Sequence, residues 1–596
     1  MPRGLHRLLR VGNATQRHVA LINSRLYSAS ASAVAQQSDH SGFDSGKDDP
    51  KLWVKSPYPD VPRIVGVEMH EVLYSRISKW PNSPAFECGV TGKKLTFGDL
   101  YRHSRSLGAA LIQAGYKPGD TVGIVLPNMP EFSVLMLGCW SAGLIISCIN
   151  PAYTGDEIKR QLKSSNANCV ITIEHFLDSV RSAKAENPGL RDIIVIGDDG
   201  TPEGCHSYNE MIKCDASGVE FSSGSKNGRN TMEDIALLPY SSGTTGPPKG
   251  VMLTHSNIVT NIHQFVAHGV GVTHNFDETG SQERLIGLLP FFHSYGSGAF
   301  LMSGVYQGSH TMSLPKFDPK TFLDAIRKHK PTCLQLVTPL ISLIVNSDEY
   351  TKHEFAHMHS VVGAAAPIGK VLIERMLNKI EKYAFFGEGY GMTELSPLSH
   401  FLNPSTRNTK AGSCGRCVPS TWSKVIDIKT GETLGPNCRG ELLVKGPQVM
   451  KGYYNNEEAT RNTVDVDGWL HTGDIAYYDE EGFFYIVDRL KELIKYKGLQ
   501  VAPSELEDVL RKHDKIQDVA VIGIPCVESG EVPRAYIVKK DKSLTDEEVH
   551  NYLKPIVASF KRLRGGIEFR ETIPKAPSGK ILRRELVEEY RKQNPE

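Results

Sequence analysis

The chain has 596 residues, which is too many for one hydrophobic core, so at least two domains are expected. Its 40% apolar and 23% charged residues are typical of a globular protein, and a formal net charge of +1 gives no general reason to expect a nucleic acid or an anionic membrane as partner. The eleven cysteines are scattered, unlike the dense framework of a small secreted domain, which favours a reducing compartment.

The N-terminal segment has the composition of an organellar targeting sequence. Residues 1–38 contain five arginines, no lysine and no acidic residue. This pattern is typical of a transit peptide rather than a secretory signal, which needs a continuous apolar core. The tetrad Arg25–Ser28 resembles a processing-protease site, so we predict a mitochondrial transit peptide over residues 1–27 and a matrix location. A disordered basic tail is the alternative.

Residues 28–62 are polar and contain several prolines and glycines, which predicts a linker. The long uncharged stretch that follows, Phe132–Gly155, is interpreted as a buried helix near residues 131–142 and a buried strand near residues 144–149. Its internal Pro151 and its lack of flanking basic clusters argue against a transmembrane helix.

Beyond residue 62, apolar strand patterns alternate with helical patterns, which indicates an α/β architecture with largely parallel sheets. Further strands are predicted at residues 121–126, 170–173, 192–196 and 285–289. Near Asp488 the sequence becomes richer in lysine and glutamate, with short strands at 519–523 and 535–538. We therefore predict a large multi-sheet N-terminal domain at 63–487 and a small α+β C-terminal domain at 488–596.

The segment Tyr240–Gly250 has the composition of a loop that wraps a phosphate group. Glycine lets backbone N–H groups approach phosphate oxygens, hydroxyls donate further hydrogen bonds, and lysine adds positive charge. The spacing differs from that of a Walker A loop, which ends in Gly-Lys-Ser/Thr. The predicted nucleotide ligands in this loop are Ser241, Ser242, Gly243, Thr244, Thr245, Gly246 and Lys249.

This loop resembles the phosphate loop of the adenylate-forming superfamily, which includes acyl-CoA synthetases, 4-coumarate:CoA ligases, beetle luciferases and peptide-synthetase adenylation domains. Four later segments resemble other signatures of that family in the same order. They are Gly389–Glu394, Trp469–Asp474, Asp488–Lys491 and Pro574–Lys580. The resemblance covers residues from about Leu95 to Leu586 and implies ATP, Mg²⁺ and coenzyme A as cofactor and substrates.

The resemblance assigns a nucleotide-binding role to residues in these segments. Thr393 is expected near the phosphates, and Glu394 is expected to bind Mg²⁺, for which a carboxylate oxygen is suited. Asp474 and Arg489 are expected at the ribose, and Tyr390 on the adenine. Glu388 and Gly389 complete this set.

The resemblance also implies two catalytic configurations. Lys580 is expected to assist attack of the acid on the α-phosphorus, where both reactants are negative. For transfer to CoA, the small domain is expected to turn about Lys491, so that Lys495 and Gly498 replace Lys580. His293 is the expected acyl-site histidine.

The identity of the acid is less strongly indicated. The expected pocket residues Tyr295, Gly363, Ala364 and Ala365 are mostly small and carry no charge, which disfavours an amino acid. With the predicted mitochondrial address, they favour a medium- to long-chain fatty acid. A 4-coumarate-type aryl acid ligase and a luciferase-like monooxygenase are the alternatives. Glu388 stands where relatives often carry glutamine, and Ala364 where glycine is common.

Overall fold

In a computed structural model of the protein, the described residues are 48–198, 200–226, 228–241, 248–366, 368–380, 384–406, 409–497, 499–526, 529–576 and 579–594. The predicted transit peptide and the first part of the predicted linker lie outside these ranges. Among the described residues, no helix combines the length and the apolarity that crossing a membrane requires.

The first large sheet has nine strands and a parallel centre. In spatial order they are Tyr240–Ser241, Lys249–Thr254, Ile235–Leu237, Ile145–Ile149, Thr121–Val125, Ala167–Ile173, Asp192–Ile196 and His206–Ser207, with Gly452–Tyr453 beside Lys249–Thr254. The uncharged stretch forms the helix Glu131–Ser141, whose residues are all buried, and then the strand Ile145–Ile149. The interpretation of this stretch as buried helix and strand is therefore confirmed.

Two further sheets lie side by side and carry the strand ends on which the candidate site is built. One contains Arg284–Gly287, His310–Ser313, Pro84–Cys88 and Lys94–Thr96; the other contains Cys333–Leu336, Ser360–Gly363, Phe385–Gly391, Leu398–Phe401 and Arg416–Cys417. They meet where the backbone N–H of Thr332 donates to the carbonyl of Arg284 at 2.9 Å. Their parallel strands therefore direct their carboxyl ends toward one side of the molecule.

The fourth sheet is antiparallel and begins within the predicted linker. Its strands are Val54–Lys55, Trp422–Ile426, Thr433–Leu434, Gly440–Lys445, Leu470–Tyr478 and Phe484–Arg489. Val54 pairs with Ser423, and the ring of Trp53 lies 5.0 Å from that of Trp469. The prediction of a linker through residue 62 is therefore wrong for its last part, because strand pairing by Val54 and Lys55 and the packing of Trp53 join it to the fold.

The fifth sheet belongs to the C-terminal part of the chain. Its strands are Leu499–Val501, Ile494–Tyr496, Gly530–Lys539, Ile516–Cys526 and Ile567–Phe569. It has its own core, which includes Leu506, Val519 and Ile537. The preceding sheet continues to Arg489, one residue beyond the predicted start of the C-terminal domain, and Lys491 lies in the connection between the two sheets.

Helices cover the faces of these sheets. The α-helices are Met69–Ile77, Phe97–Gln113, Glu131–Ser141, Gly155–Ser164, Leu177–Ala185, Tyr208–Met211, His255–Val266, Phe276–Thr279, Ser294–Gly296, Val305–Gln307, Pro319–His329, Thr338–Asn346, Lys370–Lys379, Glu457–Arg461, Pro503–Leu510, Asp546–Leu553 and Arg583–Gln593. A π-helical turn, Ser297–Gly304, joins two of them into one segment. Short 3₁₀ helices occur at Pro50–Leu52, Glu174–Phe176, Thr393–Leu395, Pro404–Thr406 and Ser559–Lys561.

The anchoring role of Trp53 predicts a loss of stability in Trp53→Ala. The substitution removes aromatic packing on Trp469 and the hydrogen bond of 2.9 Å from the indole to Asp48, so we expect about 2 kcal/mol less free energy of unfolding. Thermal unfolding measures this effect, with Val466→Ala, at a fully exposed position, as the control. An unchanged melting temperature in Trp53→Ala would show that Trp53 does not anchor residues 48–62 to the fold.

Candidate active site

The predicted phosphate loop connects two paired strands. Ser241 and Lys249 are cross-strand partners, so they mark the two ends of the loop. Ser242, Gly243, Thr244, Thr245 and Gly246 lie outside the described residues. The ammonium of Lys249 lies 4.8 Å from the centre of the Tyr453 ring, on the next strand of the same sheet. Lys249 thus directs its ammonium toward the neighbouring strand of the sheet.

Glu394 lies in the turn that returns the strand Phe385–Gly391 to Leu398–Phe401. A Cβ atom on Gly391 would lie 1.9 Å from the carbonyl oxygen of Pro397, so this close turn requires glycine. Glu394 is only 4% exposed, and its Oε1 accepts a hydrogen bond of 2.9 Å from the hydroxyl of Tyr453. Tyr453 therefore connects the glutamate predicted to bind the metal with the lysine of the phosphate loop, and Thr393 precedes Glu394 in the same turn.

Asp474 and Arg489 face each other across two antiparallel strands. They are register partners, and Nε of Arg489 lies 3.4 Å from Oδ1 of Asp474. The other carboxylate oxygen accepts a hydrogen bond of 2.6 Å from the hydroxyl of Tyr390. Burial and the negative charge of Asp474 raise the pKa of Tyr390 well above its ordinary value, so the hydroxyl stays a donor.

Asp488 lies on the last strand of the large part, and its side chain forms hydrogen bonds with the first helix of the small part. Its Oδ2 accepts hydrogen bonds from the backbone N–H of Ser504 at 2.9 Å and from its hydroxyl at 3.0 Å. The carboxylate therefore satisfies a free N–H group at the start of the helix Pro503–Leu510. Burial raises the pKa of Asp488 to about 6, against the opposing positive charge of Arg583.

Lys580 enters the site from the C-terminal part. Gly579 has a φ of 82°, and a Cβ there would lie 2.9 Å from Cδ of Pro339, so the loop approaches the large part closely just before Lys580. Burial lowers the pKa of Lys580 to about 8; Arg489 lowers it further, whereas Asp474 and Glu394 raise it. The charge of Lys580 also contributes, after burial, to lowering the pKa of His293 to about 4.

His293 precedes the helical segment that begins at Ser294. Its Nδ1 accepts a hydrogen bond of 3.3 Å from the backbone N–H of Tyr295. The low pKa keeps the imidazole neutral at physiological pH, and the bond to Nδ1 places the ring proton on Nε2. The hydroxyl of Tyr295 donates to Oε1 of Gln335 at 2.9 Å, which fixes that ring against the strand Cys333–Leu336.

The remaining predicted pocket residues lie at the carboxyl ends of two neighbouring parallel strands. Gly363 ends one strand and is the register partner of Glu388 on the next, with Gly389 following. Ala364 and Ala365 come immediately after Gly363, and Ala365 has a φ of 76°, which is strained for a residue with a Cβ. The structure thus brings this set to the same edge of the sheet.

Glu388 is 6% exposed, and its Oε1 accepts a hydrogen bond of 2.9 Å from the backbone N–H of Gly412. Burial raises the pKa of Glu388 to about 8, and the charge of Asp508, from the C-terminal part, adds to this rise. The side chain is therefore mostly a neutral carboxylic acid at pH 7. In that form it is uncharged and offers both a hydrogen-bond acceptor and a donor, as a glutamine side chain does.

The structure does not bring Lys495 to the candidate active site. It is exposed on the short strand Ile494–Tyr496, and its backbone N–H donates to Glu531 at 2.8 Å. Gly498, the other residue predicted for CoA transfer, lies outside the described residues. The exposed Lys491, the predicted hinge, lies in the connection between the large and the small domain.

Three residues that support the candidate active site were not predicted from the sequence. Tyr453 and Gln335 lie outside the segments that resemble the family signatures, so only their contacts reveal them. Arg583 follows Lys580 closely, and its guanidinium pairs with Glu492 and, at 2.8 and 2.9 Å, with both carboxylate oxygens of Glu507. This network fixes the segment after Lys580 to the hinge side of the small domain.

Comparison with known proteins agrees with this arrangement. The family model "AMP-binding enzyme" matches residues 73–454, and "AMP-binding enzyme C-terminal domain" matches residues 505–580. Among curated proteins, 4-coumarate–CoA ligase 1 of Arabidopsis thaliana is 38% identical over 539 residues, which cover 89% of this chain and 94% of that protein.

Among solved structures, the anthranilate CoA ligase AuaEII in complex with anthranoyl-AMP has a TM-score of 0.80 and 25% identity, and covers 89% of this chain and 98% of that one. A fatty acyl CoA synthetase of Mycobacterium tuberculosis has a TM-score of 0.67 and 26% identity, and covers 88% and 99%. The chain therefore belongs to the AMP-binding enzyme family, in which it is an acid–thiol ligase of the AMP-forming type.

Proposed function

We propose that this chain joins an aryl carboxylic acid to CoA through an acyl-adenylate. The observation that carries the chemistry is the position of Lys580: it follows the close contact of Gly579 with Pro339 of the large part, and its charge contributes to lowering the pKa of His293. This is the arrangement needed for the first half-reaction, in which two anions must meet.

In that first step, a carboxylate oxygen of the acid forms a bond to the α-phosphorus of ATP, and the bond to pyrophosphate breaks. A positive charge on Lys580 lowers the repulsion between the reactants and follows the charge that develops in the transition state. Glu394 fits the role of a Mg²⁺ ligand because it is a buried, hard oxygen donor held in place by Tyr453. Mg²⁺ bound there would neutralise charge on the triphosphate.

In the second step, the sulfur of CoA attacks the acyl carbonyl, and the bond to AMP breaks. The resemblance implies that the C-terminal domain turns between the two steps and takes Lys580 out of the site. The contact between the two parts near the hinge is a small apolar cluster of Ile475, Leu493 and Ala502, together with the Asp488–Ser504 hydrogen bonds. Rotation about Lys491 would bring Lys495 and Gly498 forward.

The aryl class of acid is supported by the relatives. The curated relative from Arabidopsis thaliana is named for 4-coumarate, and the solved structure of AuaEII for anthranilate. The expected pocket residues, with the ring of Tyr295 held by Gln335, suit a flat ring. The comparisons thus favour the alternative over the fatty acid that the sequence analysis preferred.

A fatty acid is the second candidate, because a fatty acyl CoA synthetase is also among the similar structures. Import into the mitochondrial matrix, as the arginine-rich N-terminus suggests, belongs to this second proposal.

Lys580→Ala should lower acyl-adenylate formation at least about 100-fold, because it removes the cation between two anionic reactants. Pyrophosphate release with ATP, Mg²⁺ and the preferred acid measures this step. Lys592→Ala, at an exposed position on the last helix, is the matched control and should retain full activity. Equal rates in both variants would remove Lys580 from the mechanism.

A panel from acetate to palmitate, with benzoate, anthranilate and 4-coumarate, should give the highest kcat/KM for an aryl acid, measured as CoA-dependent AMP formation. Ala364→Gly should raise kcat/KM for the bulkiest ring acids by about tenfold, because it removes one methyl group from the expected pocket. A preference for palmitate in the unaltered enzyme would replace the first candidate with the second.

Glu388→Gln should make stability less dependent on pH. The pKa of Glu388 is about 8 in the fold and 4.5 ordinarily, so its neutral form stabilises the fold below pH 4.5, and this contribution is lost as pH rises toward 8. As the pH rises through this window, the free energy of unfolding of the variant should therefore increase relative to that of the unaltered protein by at most about 1.4 kcal/mol per pH unit. Thermal unfolding from pH 5 to 8.5 tests this, with the exposed Glu457→Gln as control; a constant difference between the two proteins would contradict it.

A further inference from the structure

Three side chains of the type that binds transition metals lie together away from the proposed active site. The nearest ring nitrogens of His274 and His359 and a carboxylate oxygen of Glu283 all lie within 4.8 Å of one another. Glu283 directly precedes the strand Arg284–Gly287, and His359 directly precedes Ser360–Gly363. The cluster is therefore at the amino ends of strands whose carboxyl ends lead to the proposed pocket, about 13 Å away along a strand of four residues.

The carboxylate of Glu283 is held in a fixed orientation. It is 5% exposed, its Oε1 accepts a hydrogen bond of 3.0 Å from the backbone N–H of His274, and the hydroxyl of Thr332 donates to its Oε2. The group is therefore a fixed oxygen donor with hydrogen-bond partners of its own, as metal-binding carboxylates are.

The two imidazoles complete a set of three donors. Nε2 of His359 lies 3.1 Å from both carboxylate oxygens of Glu283, and the ring centres of His274 and His359 are 5.2 Å apart. A separation near 3 Å is what two ligands of one tetrahedral ion require when each bond is about 2.0 Å. The rings converge on the carboxylate from two separate elements of the fold.

A simple ion pair between His359 and Glu283 would use only one imidazole. A divalent cation instead accepts a lone pair from each neutral imidazole and one from the carboxylate. Both histidines are accessible to solvent, which leaves room for water as a fourth ligand.

We propose that His274, Glu283 and His359 form a binding site for a divalent transition-metal ion of the Zn²⁺ class. Two imidazoles and one carboxylate favour such an ion over Mg²⁺ or Ca²⁺, which prefer oxygen ligands. Bound there, the ion ties the loop that carries His274 to the amino ends of two strands. Its role is thus structural and separate from the Mg²⁺ proposed at Glu394.

Titration of the chelator-treated full chain with Co²⁺, without nucleotide, tests the site. We expect one equivalent to bind with visible d–d absorption of a four-coordinate nitrogen and oxygen site, and Zn²⁺ to displace it. His274→Ala and His359→Ala should each weaken Zn²⁺ binding at least about 100-fold, since even loss of an outer partner costs about 10- to 100-fold. His357→Ala, an exposed histidine two residues from His359, is the matched control and should bind normally.

Several results would overturn the proposal. Unchanged affinity in both His274→Ala and His359→Ala would show that the ion binds elsewhere. Thiolate-to-Co²⁺ charge-transfer absorption would assign it to cysteines, and a lack of Co²⁺ and Zn²⁺ binding would leave only an ion pair between His359 and Glu283. Because His274 is exposed, His274→Ala decides the question even if His359→Ala or Glu283→Gln fails to fold, with ATP binding as the check on folding.

Discussion

The pairing of Asp474 with Arg489 is the constraint on which the rest of the site depends. These residues are register partners on the last two strands of the large part, so their position is fixed by backbone hydrogen bonds of a sheet. The chain leaves that sheet directly after Arg489 and enters the small domain. One ion pair therefore joins the proposed ribose site to the start of the hinge, and Lys580 returns from the small domain to the same charges.

The charges explain why a movable domain suits this reaction. A lysine that helps two anions meet must lie in a site with little water, yet burial disfavours its charge and lowers its pKa. The negative charges of Asp474 and Glu394 oppose this effect of burial and favour the charged form of Lys580. A bound triphosphate would favour it further. In the proposed mechanism Lys580 leaves the site once the adenylate has formed, so the two steps would use two positions of one small domain.

The carboxyl ends and the amino ends of the parallel strands would then serve different purposes. At the carboxyl ends, loops and turns gather the proposed pocket and nucleotide groups, among them Gly363, Glu388 and Glu394. At the amino ends, His274, Glu283 and His359 cluster around one buried carboxylate. Neutral Glu388 also shows how a departure from a family pattern can be conservative in chemistry, because burial makes a glutamic acid behave as an uncharged hydrogen-bonding group.

The sequence alone determined the family, the α/β class and the buried strands, because these depend on local hydrophobic patterns and on signature segments whose residues are adjacent. It could not determine contacts between residues far apart in the chain, such as Tyr453 with Glu394, Tyr295 with Gln335, or Trp53 with Trp469. It also misjudged residues 48–62, since composition cannot register the packing of the half-buried Trp53 on Trp469. The raised pKa of Glu388 and the grouping of His274 with His359 were decided only by the tertiary structure, because burial and distance are properties of the folded chain.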